Sequence, residues 1–77
     1  MTLAGLLASV CQRHGIPPRN VIGPQRRKAY VVARKEFCRA AMDLGKWSSP
    51  QIGSFLGGRD HTSVLYLAGR VKKGSVE

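Results

Sequence analysis

The sequence predicts a small all-α domain that contains a helix-turn-helix. Three observations support this fold class. Apolar residues recur at the spacing of amphipathic helices, no segment alternates apolar and polar residues for long enough to indicate a strand, and glycines or prolines separate the helical segments. The 77 residues contain no internal repeat or linker, so we expect residues 1–77 to form one domain with a frayed tail at 74–77.

The first predicted helix begins after Thr2, whose hydroxyl can cap it, and stops at Gly15. The helical spacing predicts a buried face made of Leu3, Leu6, Leu7, Val10 and Cys11. Two consecutive prolines, Pro17 and Pro18, then prevent the helix from resuming. We expect a single further helical turn, closed by Gly23.

A longer helix is predicted from about Lys28 to Leu44, ending at Gly45, after a basic segment that starts at Pro24. Its apolar face is expected to consist of Tyr30, Ala33, Phe37, Ala41 and Leu44. The cations Arg27, Arg34 and Lys35 are predicted to lie on or near the first turns of this helix, away from its apolar face.

The next helix is short, with Ser49 predicted as N-cap and Pro50 as the first helical residue. Two glycines, Gly57 and Gly58, end it. A last helix is predicted to begin at the N-cap Asp60. The buried side of the first of these helices is expected to consist of Ile52, Phe55 and Leu56. That of the last helix, which ends at Gly74, is expected to consist of Val64, Leu67, Ala68 and Val71. A short helix, a glycine-containing turn and a second amphipathic helix are typical of a helix-turn-helix.

The charge of the chain favours a polyanionic partner. Lys and Arg number 13 against 4 Asp and Glu, which gives a net charge of +9 and a pI near 10.6. The alternative is a basic surface that serves only solubility. Few aromatic residues argue against RNA, and so few carboxylates leave no acid and base pair, so we expect no enzyme. The first residues lack the basic start and cleavage pattern of a signal peptide, and no apolar run approaches about 20 residues, so we expect a cytoplasmic protein without a signal peptide or a membrane span.

The two cysteines, Cys11 and Cys38, form no C-x-x-C pair and are interpreted as buried core residues of a reducing compartment. Cys11 and His14 have helical spacing for two metal ligands, but a structural zinc site needs four, and only Cys38 and His61 remain to complete it. We therefore expect neither a metal nor a cofactor.

The second helix of a helix-turn-helix enters the major groove with its N-terminal residues at the base edges. Those residues here are Arg59, Asp60, His61, Thr62 and Ser63. Hydroxyls donate or accept, the Thr62 methyl can pack on a thymine methyl, and Asp60 can accept from a cytosine amine. The alternatives are that Asp60 is only an N-cap, that the hydroxyls bond to the backbone, and that His61 is an ordinary surface histidine.

Three stretches carry a resemblance to a known family. They are "IGSFLGGRDHTSVL" (52–65), "VVARKEFCRAAMDL" (31–44) and "HGIPPRNVIGPQRRK" (14–28). Together they resemble the DNA-binding C-terminal domain of the bacterial replication initiator DnaA, over roughly residues 5–72. The implied fold is a small Trp-repressor-like helical domain. The implied function is binding of double-stranded DNA at DnaA boxes, linked to replication initiation or its regulation.

The resemblance also implies roles for individual residues. Arg26 matches an arginine that enters the minor groove, and Arg34 matches an arginine that contacts the DNA. Residues 59–62 match the signature of the recognition helix. With the neighbouring cations, the predicted DNA-binding residues are Arg26, Arg27, Lys28, Arg34, Lys35, Arg59, Asp60, His61, Thr62 and Ser63.

Four positions depart from the family pattern. Lys35 stands where Gln is common, Ser63 replaces the second Thr, Leu56 replaces a Phe, and Tyr66 stands where His is common. A shifted or relaxed box preference follows as an expectation. The alternative function is a protein-interaction or non-specific DNA-binding module that kept the fold, with replication-initiation proteins as partners. We expect a monomer, because each helix has one apolar face, which its own core requires.

Overall fold

The computed structural model describes residues 2–23 and 27–69, and its first two helices lie where the sequence predicts them. Helix α1 is Leu3–His14 and helix α2 is Pro18–Ile22. The Thr2 hydroxyl accepts a hydrogen bond from the Gly5 N–H at 3.0 Å and so caps α1. Helix α1 ends at Gly15 in the left-handed conformation, with φ of 67°.

Helix α3 is Lys28–Leu44, as predicted, and is the central element of the fold. It contacts each of the other four helices. Phe37 lies in the middle of α3 with no exposed surface, and its ring centroid is 5.8 Å from that of Phe55. The prediction that Leu44 is buried is wrong, since 44% of its surface is exposed at the last turn of α3.

The described helices share one apolar core. Every helix contributes to it, so the position of each depends on the packing of the others. Its buried members are Leu6, Leu7, Val10, Cys11, Val21, Ala33, Phe37, Cys38, Ala41, Ile52, Leu56, Val64 and Ala68.

Helix α4 is Ser49–Phe55, and its N-cap is Ser48 rather than the predicted Ser49. The Ser48 hydroxyl accepts from the Gln51 N–H at 3.3 Å, while the Gln51 side-chain oxygen accepts from the Ser48 N–H at 2.8 Å. This reciprocal pair is a capping box. Pro50 therefore occupies the second helical position.

Helix α5 is His61–Leu67, with Asp60 at the N-cap position as predicted. The helix ends earlier than predicted, because the chain turns at Ala68 and at Gly69, whose φ is 78°. The predicted continuation to Val71 and Gly74, and the tail at 74–77, lie outside the described residues.

The all-α fold class is confirmed for residues 2–23 and 27–69, which form five helices and contain no strand. Within the same ranges, no helix combines the length and the apolar character that a bilayer crossing demands.

Candidate nucleic-acid interface

The turn between α4 and α5 is closed by backbone hydrogen bonds. The Arg59 N–H donates to the Gly53 carbonyl at 2.8 Å, and the Gly58 N–H donates to the same carbonyl at 3.1 Å. Gly57 and Gly58 both have φ of 83°, a conformation that side chains disfavour. The two helices approach closely, because a Cβ atom at Gly53 would lie 2.2 Å from the Arg59 carbonyl oxygen. The predicted helix-turn-helix is therefore present.

The first turn of α5 presents its polar residues to solvent. His61, Thr62 and Ser63 are exposed, whereas the next residue, Val64, has no exposed surface and anchors α5 in the core. Because Val64 fixes which side of α5 faces inward, the three polar side chains are held on the outside.

Asp60 is exposed and lies at the predicted N-cap position, but the capping hydrogen bond expected from its side chain is absent, and the carboxylate contacts side chains of that turn instead. It accepts a hydrogen bond from the Thr62 hydroxyl, and His61 Nδ1 lies 3.2 Å from its Oδ1 atom. The Thr62 hydroxyl is the main cause of a lowered pKa of Asp60, and His61 lowers it further. The carboxylate therefore remains charged at neutral pH and orients both neighbours.

The prediction that Arg34 lies away from the apolar face of α3 is wrong. Only 4% of its surface is exposed, and its Nε donates to the Val21 carbonyl at 2.8 Å. Its Nη2 donates to the Gly23 carbonyl at 3.2 Å. Helical spacing is consistent with this burial, because Arg34 lies three residues before the fully buried Phe37 and therefore on the same face of α3. The acceptors, however, belong to α2 and to the residue that follows it, and the sequence of α3 does not reveal them.

Arg59 is half-buried and bonds to the same part of the chain. Its Nη1 donates to the Ile22 carbonyl at 3.0 Å and to the Leu56 carbonyl at 2.7 Å. Its Nη2 donates to the Gly23 carbonyl at 3.0 Å. The structure thus brings Arg34 and Arg59 together at the end of α2, and both line a groove that Ser63 of α5 also lines.

The remaining predicted cations with described positions are exposed. Arg27 immediately precedes α3, Lys28 begins it, and Lys35 lies two turns further on. Val31 lies between the two lysines on the same helical face. It lines a groove between α3 and α5 that Ser63 also lines. Exposed cations of α3 therefore flank the groove beside α5.

Arg26, predicted to enter the minor groove, lies outside the described residues.

Two further residues lie beside this groove although the sequence interpretation did not select them as DNA-binding. Tyr66 is 43% exposed and lines the groove one turn after Ser63. Arg39 is exposed one turn after Lys35 and, with it, lines a shallow depression against Leu67 of α5. Helical spacing from the selected residues, three from Ser63 and four from Lys35, is the signal that identifies both.

No group of three or more potential metal ligands occurs among the described residues. Cys11 and Cys38 are both free and buried. Burial raises the pKa of the Cys11 thiol and raises that of Cys38 to about 12. Both thiols are therefore protonated at neutral pH, which disfavours metal ligation.

Comparison with known proteins shows the family. The family model described as the bacterial DnaA protein helix-turn-helix matches residues 4–71. The chromosomal replication initiator protein DnaA of Thermus thermophilus is 34% identical over 68 residues, which cover 88% of this chain and 16% of the relative. The protein of that name from a Ruegeria species is 30% identical over 73 residues, 95% of this chain and 16% of the relative.

A third relative, the DnaA protein of Corynebacterium jeikeium, is 42% identical over 60 residues, 74% of this chain and 10% of the relative. The matches thus cover only a small part of the length of these initiator proteins. The matched family is a helix-turn-helix, and its model spans both the α4–α5 turn and the central helix α3. This chain belongs to the bacterial DnaA helix-turn-helix family.

Proposed function

We propose that the chain binds double-stranded DNA with a preference for DnaA-box-like sites, with α5 in the major groove. The observation that carries this proposal is the first turn of α5, where His61, Thr62 and Ser63 are all exposed while Val64 is fully buried. A recognition helix must present its N-terminal side chains outward from a rigid support. Membership of the family supports the same function.

In this proposal the residues of α5 read bases. His61 bonds to base edges, the Ser63 hydroxyl donates or accepts, and the Thr62 methyl packs on a thymine methyl. Asp60 holds the Thr62 hydroxyl and the His61 ring in place through the contacts described above. Its accessible carboxylate oxygens can also accept from a cytosine amine.

The exposed cations of α3 neutralise phosphates. Arg27, Lys28 and Lys35 fit this role, because all three are exposed at the start or in the first half of α3, the helix whose Val31 lines the groove. Arg26 is proposed for the minor groove on the resemblance alone. With a net charge of +9, binding is expected to weaken steeply with salt, since each neutralised phosphate contributes about −0.9 to the slope of log K against log salt concentration.

The relatives are chromosomal replication initiator proteins. We propose that this chain acts at initiator-type sites, as part of replication initiation or as a competitor that regulates it. Other replication-initiation proteins are proposed as partners.

The experiment that tests this function measures fluorescence anisotropy with a duplex that carries one DnaA box and with a scrambled duplex of equal composition. The measurement is made at two salt concentrations, on the wild-type chain and on His61→Ala. We expect the wild type to prefer the box at both concentrations. Loss of His61 should reduce that preference by about 1–3 kcal/mol while changing affinity for the scrambled duplex little.

The matched control is His14→Ala. His14 is the other histidine of the sequence, and it binds Glu36 where α1 packs on α3. It should leave the box preference unchanged. If the wild type binds both duplexes equally and this binding is lost at the higher salt concentration, box recognition is rejected and a non-specific DNA-binding module is favoured. An absence of binding to either duplex would favour the protein-interaction alternative.

A further inference from the structure

The carbonyl oxygens at the end of α2 are held by two arginines from distant parts of the chain. The Gly23 carbonyl accepts from Arg34 Nη2 at 3.2 Å and from Arg59 Nη2 at 3.0 Å. Arg34 also binds the Val21 carbonyl, and Arg59 also binds the Ile22 carbonyl. Three consecutive carbonyls are therefore bound by donors from α3 and from the turn that precedes α5.

These bonds use a property that only arginine has. The last carbonyls of a helix lack partners within it, and α2 is only five residues long. A guanidinium carries five donors in a rigid plane and can bridge two carbonyls, whereas a lysine ammonium acts as a compact charge on a flexible stem. Arg34 is almost fully buried, so the loss of these bonds would leave polar groups unpaired in the interior.

We propose that Arg34 and Arg59 are positioning residues for DNA recognition. Through the shared Gly23 carbonyl they join the end of α2 to the start of α5. They thereby fix the reading residues of α5 relative to the end of α2 and to α3, which carries the exposed cation Lys28. The effect on DNA rests on the proposed function. The inference goes beyond that function because it replaces the direct DNA contact that the resemblance implies for Arg34.

The geometry explains why a phosphate contact by Arg34 is disfavoured. Its Nε and Nη2 atoms already donate to carbonyls, and its side chain is 4% exposed. Two of its five N–H groups are used by the Val21 and Gly23 carbonyls, and so little of the side chain is exposed that a phosphate could approach the guanidinium only if the side chain moved outward from these two bonds. A positioning role and a phosphate contact predict different salt dependence.

The experiment compares Arg34→Gln with Lys28→Gln, since each removes one positive charge from α3. Affinity for the box and scrambled duplexes is measured over a series of salt concentrations. Lys28→Gln should weaken binding to both duplexes alike and reduce the slope of log K against log salt concentration by about 0.9. Arg34→Gln should keep the slope and lose about tenfold of the box preference, the discrimination that one good base contact supplies.

A second pair of variants covers the case in which Arg34→Gln does not fold. Arg34→Lys and Arg59→Lys keep the charge but replace the rigid fork, whose different nitrogens bond to different carbonyls, with a single nitrogen on a flexible stem. Each should retain the salt slope and affinity for the scrambled duplex and lose part of the box preference. Because the two share the Gly23 carbonyl, their effects should not be additive in the double variant.

A measurement without DNA separates this inference from the proposed function. The carbonyl ¹³C chemical shifts are recorded by NMR for the wild type and both lysine variants. Arg34→Lys should move the signals of Val21 and Gly23, and Arg59→Lys those of Ile22 and Gly23. A Gly23 signal that responds to neither variant overturns the shared contact, whether or not the chain prefers a box.

The remaining outcomes are also decisive. If Arg34→Gln reduces the salt slope by about 0.9 and keeps the box preference, Arg34 is a phosphate contact and the inference is wrong. If the wild type prefers the box and both lysine variants keep that preference in full, only the inference fails. If the wild type shows no preference, the proposed function fails, and the carbon shifts still decide whether the two arginines share Gly23.

Discussion

Gly53 is the residue on which the close approach of α4 to the start of α5 depends. A methyl group there would lie 2.2 Å from the Arg59 carbonyl oxygen and 3.3 Å from the Val64 side chain. Since the nearest atom belongs to the backbone, the two helices would have to separate. We expect Gly53→Ala to lower the free energy of unfolding by about 1–3 kcal/mol in urea denaturation, and to weaken binding to the box duplex.

Gly5→Ala is the matched control, because Gly5 also lies within a helix. A methyl group there would meet only the Thr2 hydroxyl oxygen, at 3.4 Å, an ordinary contact. Alanine is the better helix former, so this change should raise the free energy of unfolding by about 0.5–1 kcal/mol. Equal effects of the two substitutions would contradict the close approach at Gly53.

For individual residues, the sequence predicted which side chains are exposed better than it predicted which groups they hydrogen-bond to. Residues 60–63 are exposed as expected, because they directly follow the glycine turn and precede the first apolar residue of α5. The burial of Arg34 was not predicted, since its acceptors, Val21 and Gly23, lie 13 and 11 residues earlier in the chain. A charge normally indicates exposure, and only the packing of α2 on α3 reverses that expectation here.

Among the elements, α4 offers the clearest test of a local sequence signal. Two adjacent serines could cap it, and the structure selects Ser48. We expect Ser48→Ala to lower the free energy of unfolding by about 1 kcal/mol, because the Gln51 N–H loses its acceptor. Ser49→Ala, at the first helical position, should have a much smaller effect. Urea denaturation of both variants makes the comparison, and the reverse order would show that Ser49 is the cap.

The boundaries of the helices show where sequence reasoning succeeds. The bounds of α3 were predicted because Gly45 stops it with a positive φ. The cap of α4 was missed although its signal was present, since a serine followed three residues later by a glutamine is a capping box, and only Ser48 has that spacing. The early end of α5 was missed although Gly69 gave a signal of the same kind, because the apolar spacing continues beyond it to Val71.

For the whole molecule, the contact between α1 and α3 makes stability depend on pH. Glu36 of α3 forms an ion pair with Arg13 and accepts from His14 Nε2 at 2.6 Å. The His14 hydrogen bond, followed by the Arg13 charge, lowers the pKa of Glu36 below its ordinary 4.5. The unfolded chain then binds more protons than the folded chain near that pH, so stability is full above about pH 5 and falls as Glu36 protonates.

The measurement is the midpoint of urea denaturation between about pH 7 and pH 3. We expect Glu36→Gln to be less stable than the wild type at pH 7 and to lose less stability on acidification. Asp60, whose pKa is also lowered, changes stability in the same direction and is untouched by the substitution. Parallel curves for the two proteins would show that Glu36 does not contribute to the acid dependence.

The burial of Cys38 has a kinetic consequence. With a pKa of about 12 and no exposed surface, this thiol reacts with an alkylating reagent only after the interior has opened. Cys11, at 3% exposure, is shielded in the same way. The labelling rates of the two cysteines therefore report how often α1 and α3 separate from the core, and a ligand that binds the folded chain would slow them both.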